Sequence, residues 1–372
     1  MIESPSGLKQ ISGRARVIAL YLPQFHPIPE NDIWWGKGFT EWTNVGKAKP
    51  LYKGHYQPRV PADLGYYDLR IPEIRKEQAE LARQSGVEGF CYWHYWFGDG
   101  KRLLERPFNE VLRSGEPDFP FCLAWANETW RGFNHGITNR NVLIEQTYPG
   151  VDDVRHHFLA VLPALKDKRY IKIDNKPIFV VYKPVEFQEA SGFIEIWQKL
   201  AKENGLEGIF FIGCTSVSNE ISHLKSIGFD AILFNRIFNY VNSKMSLIHR
   251  IMLKARKFVT GMPRVYQYES LINHFTGIED EIEYVFPSIY PNWDHTPRSG
   301  KQGVVFQNST PELFARHASM VFSKIANKRD EMKIVFLKSW NEWAEGNYIE
   351  PDIKFGHRYL NALRDSLTRN YY

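Results

Sequence analysis

The chain has 372 residues, enough for one large barrel or two ordinary domains, and its 43% hydrophobic content allows a full core. The net charge of +5 is mild and demands no nucleic-acid partner, while Cys91, Cys122 and Cys214 sit in apolar runs as free core thiols rather than as a disulfide framework. Residues 1–14 are polar and lack the apolar stretch of a signal peptide, and no run approaches the roughly 20 apolar residues of a spanning helix, so the expectation is a soluble, cytoplasmic protein.

Strand-like runs appear at 16–25, 88–96, 121–128, 176–184, 209–217, 231–235, 284–290 and 333–340. They are short and nearly continuous in apolar residues, which fits parallel strands buried on both faces. Amphipathic stretches separate them. Residues 72–85 start with Pro72 and stop at Gly86, and 152–166, 187–204 and 311–327 behave similarly. Eight strand–helix units predict an α/β fold, a single (β/α)₈ TIM-type barrel. A doubly wound open sheet is the alternative, but no G-x-G-x-x-G or P-loop follows any strand. The expected division is an N-terminal extension over 1–15 and one catalytic barrel over 16–372.

Long loops are expected after strands one and six. The first, 27–69, carries Trp34, Trp35, Gly36, Gly38, Phe39, Glu41 and Trp42, a pattern suited to a lid or cleft wall. The second, 239–280, contains the basic segment 243–268, with six Lys/Arg and no Asp/Glu. Two readings stay open for it: a solvated helix packed on the barrel, or a contact with the inner-membrane surface or a lipid-linked glycan.

Barrel sites lie at the C-terminal strand ends. There the chain places Gln24-Phe25-His26, His94-Tyr95-Trp96, Trp125-Ala126-Asn127-Glu128, Tyr290-Pro291-Asn292-Trp293-Asp294 and Trp340-Asn341-Glu342. The last continues as Trp343-Ala344-Glu345-Gly346, so two carboxylates stand three residues apart among aromatic rings. Paired carboxyls with separated pKa values are what cleavage of a glycosidic bond needs, and aromatic faces suit sugar C–H groups. Glu342 and Glu345 are the expected catalytic pair. Expected substrate contacts are His26, Glu41, Trp42, Tyr92, His94, Trp125, Asn127, Glu128, Tyr290, Arg298, Asn341 and Trp343. Structural alternatives stand beside several of them: a rim ion pair for Glu128, a loop-fixing salt bridge for Arg298, and satisfied structural histidines at His26 and His94. A metal site from His26, His55, His94 and His135 lacks H-x-x-x-H or C-x-x-C spacing, so neither a metal nor another cofactor is expected.

The run 19–27, the segment 34–45, Gly89-Phe90-Cys91-Tyr92-Trp93-His94-Tyr95-Trp96, Trp125-Ala126-Asn127-Glu128 and Trp340–Gly346 together resemble the WbsX family of polysaccharide-biosynthesis proteins. The resemblance runs from about Arg16 to Tyr359. That family is often labelled glycosyltransferase, yet its fold is similar to glycoside hydrolase family 99, the endo-α-mannosidase and endo-α-mannanase group of retaining barrel enzymes. Their paired glutamates occur as N-E-W-x-E-G, which maps onto Glu342 and Glu345. The resemblance implies that Glu342 deprotonates the sugar 2-hydroxyl, which attacks C1, while Glu345 protonates the leaving oxygen and later activates water. Ala344 stands where the hydrolases commonly carry a bulkier polar residue. The implied substrate is an oligosaccharide or polysaccharide of the bacterial surface, O-antigen among them. A glycosyltransferase with an activated sugar donor and a non-catalytic glycan-binding barrel remain as rivals. The first lacks a D-x-D motif here.

Overall fold

A computed structural model of the chain describes residues 14–132, 141–237 and 261–369. Nearly all of the expected N-terminal extension, His135, and the basic segment up to residue 260 lie outside the described residues.

Eight strands form the barrel: β1 (Arg16–Tyr21), β2 (Val87–Trp96), β3 (Phe121–Trp125), β4 (Lys176–Val181), β5 (Phe210–Thr215), β6 (Ala231–Phe234), β7 (Val285–Ile289) and β8 (Ile334–Leu337). Neighbours pair in parallel around the ring, and β1 closes it by pairing with both β8 and β2. Arg16 lies opposite Ile334 and Val17 opposite Val87. Every residue of β3, β5, β6, β7 and β8 is buried, which explains why their sequences read as unbroken apolar runs. Gly89 marks a close approach of backbones. A Cβ there would come within 2.4 Å of the Pro120 carbonyl oxygen, which instead accepts from the Phe90 N–H at 3.0 Å.

The helices alternate with the strands as expected for this architecture. They are α1 (Pro72–Ser85), α2 (Arg106–Ser114), α3 (Val151–Leu165), α4 (Ala190–Glu203), α5 (Glu220–Ile227), α6 (Pro311–Ile325) and α7 (Arg358–Arg369). α1 starts at Pro72, and Gly86 ends it in the left-handed conformation, its N–H bonded to the Ala82 and Arg83 carbonyls. Thr310 caps α6 by accepting from the Leu313 N–H at 3.3 Å. The extents of α2 and α5 were not foreseen, though Ser226-Ile227-Gly228 reads as the exit of a helix, and neither was α7. The first two are too short, at nine and eight residues, to show a periodic pattern.

The main core joins barrel residues such as Ile18, Phe90, Phe179 and Ile212 to helix residues such as Trp197. A second cluster, including Tyr268, Phe275, Trp293 and Phe306, backs the loops of β6 and β7. It is built on a parallel pair of short strands, Arg264–Gln267 and Val304–Gln307, that the sequence did not announce. A third cluster, including Tyr95, Phe97 and Trp130, backs the loops of β2 and β3. The two smaller clusters hold opposite walls of the space above the barrel.

Candidate active site

A cavity of about 630 Å³ opens at the C-terminal end of the barrel. Its lining follows the pleat. Leu22 and Gln24 continue β1, Trp93 and Tyr95 belong to β2, Ala126 and Glu128 follow β3, and Tyr182 follows β4. Residues two apart share a face of a strand, so the ones between point the other way. Tyr92 therefore packs against Phe108 of α2, with ring centroids 5.1 Å apart. His94 Nε2 sits 2.8 Å from Nε2 of His157 on α3. Trp125 lies 5.4 Å from Phe193 of α4. Tyr92, His94 and Trp125, expected to contact substrate, face the helix layer and do not line the cavity.

The carboxylate pair sits on a tight hairpin after β8. Asn341 and Glu342 pair antiparallel with Tyr348 and Asn347, and one turn of 3₁₀ helix, Trp343–Glu345, lies between. Gly346 closes the turn at φ 54°, where a Cβ would come within 2.7 Å of Asp294 Cβ. The Asp294 N–H donates to the Glu345 carbonyl at 2.7 Å, which requires that close approach. The side-chain amide of Asn341 accepts from the Leu22 N–H at 2.8 Å and donates to the Leu22 carbonyl at 3.0 Å, tying the hairpin to the end of β1. Trp343 stacks on Tyr348 at 3.7 Å and donates from Nε1 to Glu350 at 2.6 Å. Glu350 also accepts from Gln78 Nε2 at 2.6 Å and from the Tyr67 hydroxyl at 2.9 Å. Burial outweighs these donors and lifts the Glu350 carboxyl to about 7.

Glu342 and Glu345 both face the cavity. Trp93 Nε1 donates to Glu342 Oε1 at 3.0 Å, and Lys338 Nζ stands 3.7 Å from Oε2. Burial raises the Glu342 carboxyl above the usual range. Lys338 opposes the rise and the charge of Glu345 adds to it. Arg298 Nη1 donates to Glu345 Oε1 at 2.5 Å, and its other nitrogens reach Glu41 at 3.1 and 3.2 Å. Burial by itself would depress the guanidinium, but Glu41, Glu345 and Glu342 hold it firmly protonated. Burial likewise raises Glu41, against the pull of Arg298, and Glu128, against that of Lys183. His295 Nε2 lies 3.8 Å from Glu345, and burial drives its imidazole down to about 3, so it is neutral at ordinary pH. The site thus holds a desolvated carboxyl beside an arginine-clamped one, an arrangement able to exchange protons with a bound hydroxyl and a leaving oxygen.

The other expected contacts are placed as supports. His26 sits on the Pro23 carbonyl through Nδ1 at 3.0 Å, and Trp42 donates to the Tyr67 carbonyl at 2.7 Å. The Asn127 amide joins the ends of β3 and β4 through the Lys183 backbone. The Tyr290 hydroxyl accepts from the Arg236 N–H at 2.7 Å and meets Asn235 Oδ1 at 3.0 Å. Of the expected residues, Glu128, Arg298, Glu342 and Glu345 line the cavity, with Glu41 behind Arg298. The first long loop acts as a brace. His55 and Gln57 meet Asp294 Oδ2 at 2.8 and 2.7 Å, and Arg59 donates to the Gly346 carbonyl at 3.1 Å. His26, His55 and His94 are dispersed among these partners, and the described residues contain no cluster of three groups that could hold a metal.

Gln24, Trp93, Tyr95, Tyr182, His295 and Lys338 line the cavity without having been expected as substrate contacts, although Gln24 and Tyr95 stood in the strand-end runs. Alternation links residues within one strand, Leu22 with Gln24 and Trp93 with Tyr95, but the inward face of Glu128 carries over to its neighbours only through the register that the closed barrel sets.

The family described as Glycosyltransferase WbsX matches residues 17–363. A relative from Xanthomonas campestris pv. campestris (strain B100), named "Uncharacterized protein WxcX", is 36% identical over 357 residues, 95% of this chain and 50% of that protein. A second strain of that pathovar carries an equally similar protein. The chain spans about half the length of the curated relatives it matches. Among solved structures, the fold is similar to that of the GH99 endo-alpha-mannosidase from Bacteroides thetaiotaomicron. The identity is 15% and the TM-score 0.58, covering 95% of this chain and 96% of the other. A glycoside hydrolase-like protein is similar at 14% identity and a TM-score of 0.57, covering 98% and 97%. With the match running over nearly the whole barrel and through the paired-glutamate hairpin, this chain belongs to the WbsX glycosyltransferase family.

Proposed function

We propose that this chain cleaves or transfers a glycosidic bond in a bacterial surface polysaccharide, with retention at the anomeric carbon. The observation that carries the reading is the pair Glu342 and Glu345, on one hairpin, facing one cavity beside Arg298 and Lys338. Glu342 takes the proton of the sugar 2-hydroxyl as that oxygen bonds to C1. A base whose pKa is lifted by burial suits proton removal from a hydroxyl. Glu345 gives a proton to the leaving oxygen and afterwards takes one from the incoming water or acceptor hydroxyl. Trp93, Tyr95, Tyr182 and Trp293 supply apolar faces for the sugar rings. Three buried free thiols support a reducing compartment as the working site.

The family description favours a second reading, transfer from an activated sugar donor. Turnover of a glycan with no nucleotide sugar present separates the two. In that assay Glu342→Gln and Glu345→Gln each lose about 10²–10⁴ in rate, the amount expected for one general acid or base. A substrate with a strongly acidic leaving group restores Glu345→Gln more than Glu342→Gln, because such a group needs little protonation. Near-normal turnover in both variants removes the assignment.

A further inference from the structure

Lys338 follows β8 into the cavity with 8% of its surface exposed. Among the described residues, Nζ has one ion pair, with Glu342 Oε2 at 3.7 Å, and no hydrogen bond. It lies 5.7 Å from the centroid of the Trp293 ring. Glu342 accepts from Trp93 through Oε1 and its carboxyl also meets that of Glu345, while Oε2 faces the ammonium.

The separation is too long for a direct hydrogen bond and leaves room for one bridging oxygen. An atom about 2.8 Å from both Oε2 and Nζ satisfies ordinary hydrogen-bond geometry at each. That atom has to donate to a carboxylate and accept from an ammonium at once. A hydroxyl does both. A carboxylate or phosphate oxygen there would be repelled by Glu342, and a protonated amine would be repelled by Lys338. At this position a sugar hydroxyl fits, and a charged oxygen or ammonium does not.

We propose that Lys338 and Glu342 hold one sugar hydroxyl between them, and that Lys338 stabilises its oxygen while Glu342 removes the proton. The inference rests on the paired-glutamate reading and adds a third catalytic group to it. The hydroxyl proton passes to Glu342 Oε2. The freed electron pair forms the bond to the anomeric carbon as the bond from that carbon to the leaving oxygen breaks, and Glu345 protonates that oxygen. Lys338 keeps its own protons. It acts as a fixed positive charge aimed at the place where negative charge develops, which is where preorganised electrostatics accelerate a reaction most.

The test compares the wild-type chain with Lys338→Met, Lys338→Gln and Lys338→Arg. One readout is turnover of a panel of fluorogenic aryl disaccharides, each with a free hydroxyl or its deoxy analogue beside the anomeric carbon. The other is the pH titration of the Trp93 indole N–H resonance, whose acceptor is Glu342. Loss of the cation should move the titration midpoint up by about one pH unit in the Met and Gln variants, with Arg restoring it. Their kcat should fall about 10²–10³-fold, as for loss of one oxyanion donor, while KM changes much less. The wild type's preference for binding the hydroxyl over the deoxy compound should vanish in them. The titration needs no substrate, so it decides the coupling whichever glycan is turned over. A midpoint unmoved in both neutral variants overturns the proposal. So does wild-type kcat in the Lys338 variants when Glu342→Gln is inactive. Turnover that survives in Glu342→Gln overturns the paired-glutamate reading itself, a separate outcome.

Discussion

Glu350 offers a pH-dependent test of how the hairpin that carries Glu342 and Glu345 is held. Its carboxyl is 3% exposed and accepts from Trp343, Gln78 and Tyr67, with no lysine or arginine among its hydrogen-bond partners. Burial raises it from an ordinary 4.5 to about 7. The folded chain thus retains a proton that the unfolded chain releases, and the gap is largest between those two values. Its stabilising share is complete below about pH 4.5 and is lost as pH rises through about 7. The interval corresponds to roughly 3 kcal/mol of unfolding free energy. Glu350→Gln is neutral throughout. Its carbonyl can keep the two donors Trp343 and Tyr67, and the Gln78 amide can turn its oxygen toward the new N–H₂ group. The assay is urea unfolding of wild type and variant at a series of pH values. The variant should gain on the wild type by roughly 3 kcal/mol between pH 4 and pH 8. Other titrating groups, present in both proteins, cancel in that difference. Parallel stability curves would show that the Glu350 carboxyl titrates in its ordinary range and that this account of its burial is wrong.

Arg298→Met should leave Glu41 buried without its partner and release Glu345, costing about 3–5 kcal/mol; denaturant midpoints check the loss, and a change under 1 kcal/mol would count against a structural clamp. Gly346→Val should cost at least about 1–3 kcal/mol through its left-handed conformation, before the collision with Asp294 is counted. The loss should appear as a lower melting temperature, with turnover reduced because the hairpin carries both glutamates. Asn341→Ala should lower glycan turnover by untying the hairpin from Leu22, while far-ultraviolet circular dichroism stays that of the barrel; full turnover would show that this tie is dispensable.

The barrel was legible in the sequence because parallel strands buried on both faces leave continuous apolar runs, and the helices between them leave a 3.6-residue rhythm. The runs at 16–25, 121–128 and 209–217 contain β1, β3 and β5, and the helix expected over 72–85 matches α1 to the residue. The carboxylate pair was legible because both members belong to one short motif. What lay beyond the sequence was direction and distance. A strand apolar on both faces does not reveal which alternate residue points inward, so Tyr92, His94 and Trp125 were expected in the cavity that Trp93, Tyr95 and Glu128 line. Nor does the sequence reveal partners far apart along the chain: Arg298 meets Glu41 across 257 positions, and Gln78 meets Glu350 across 272. Such pairs are set by closure of the ring, which brings the loop after β1 and α1 against the segments that follow β7 and β8. Local propensity marked the barrel strands and the longer helices, and only the closed barrel decided which charges share the site.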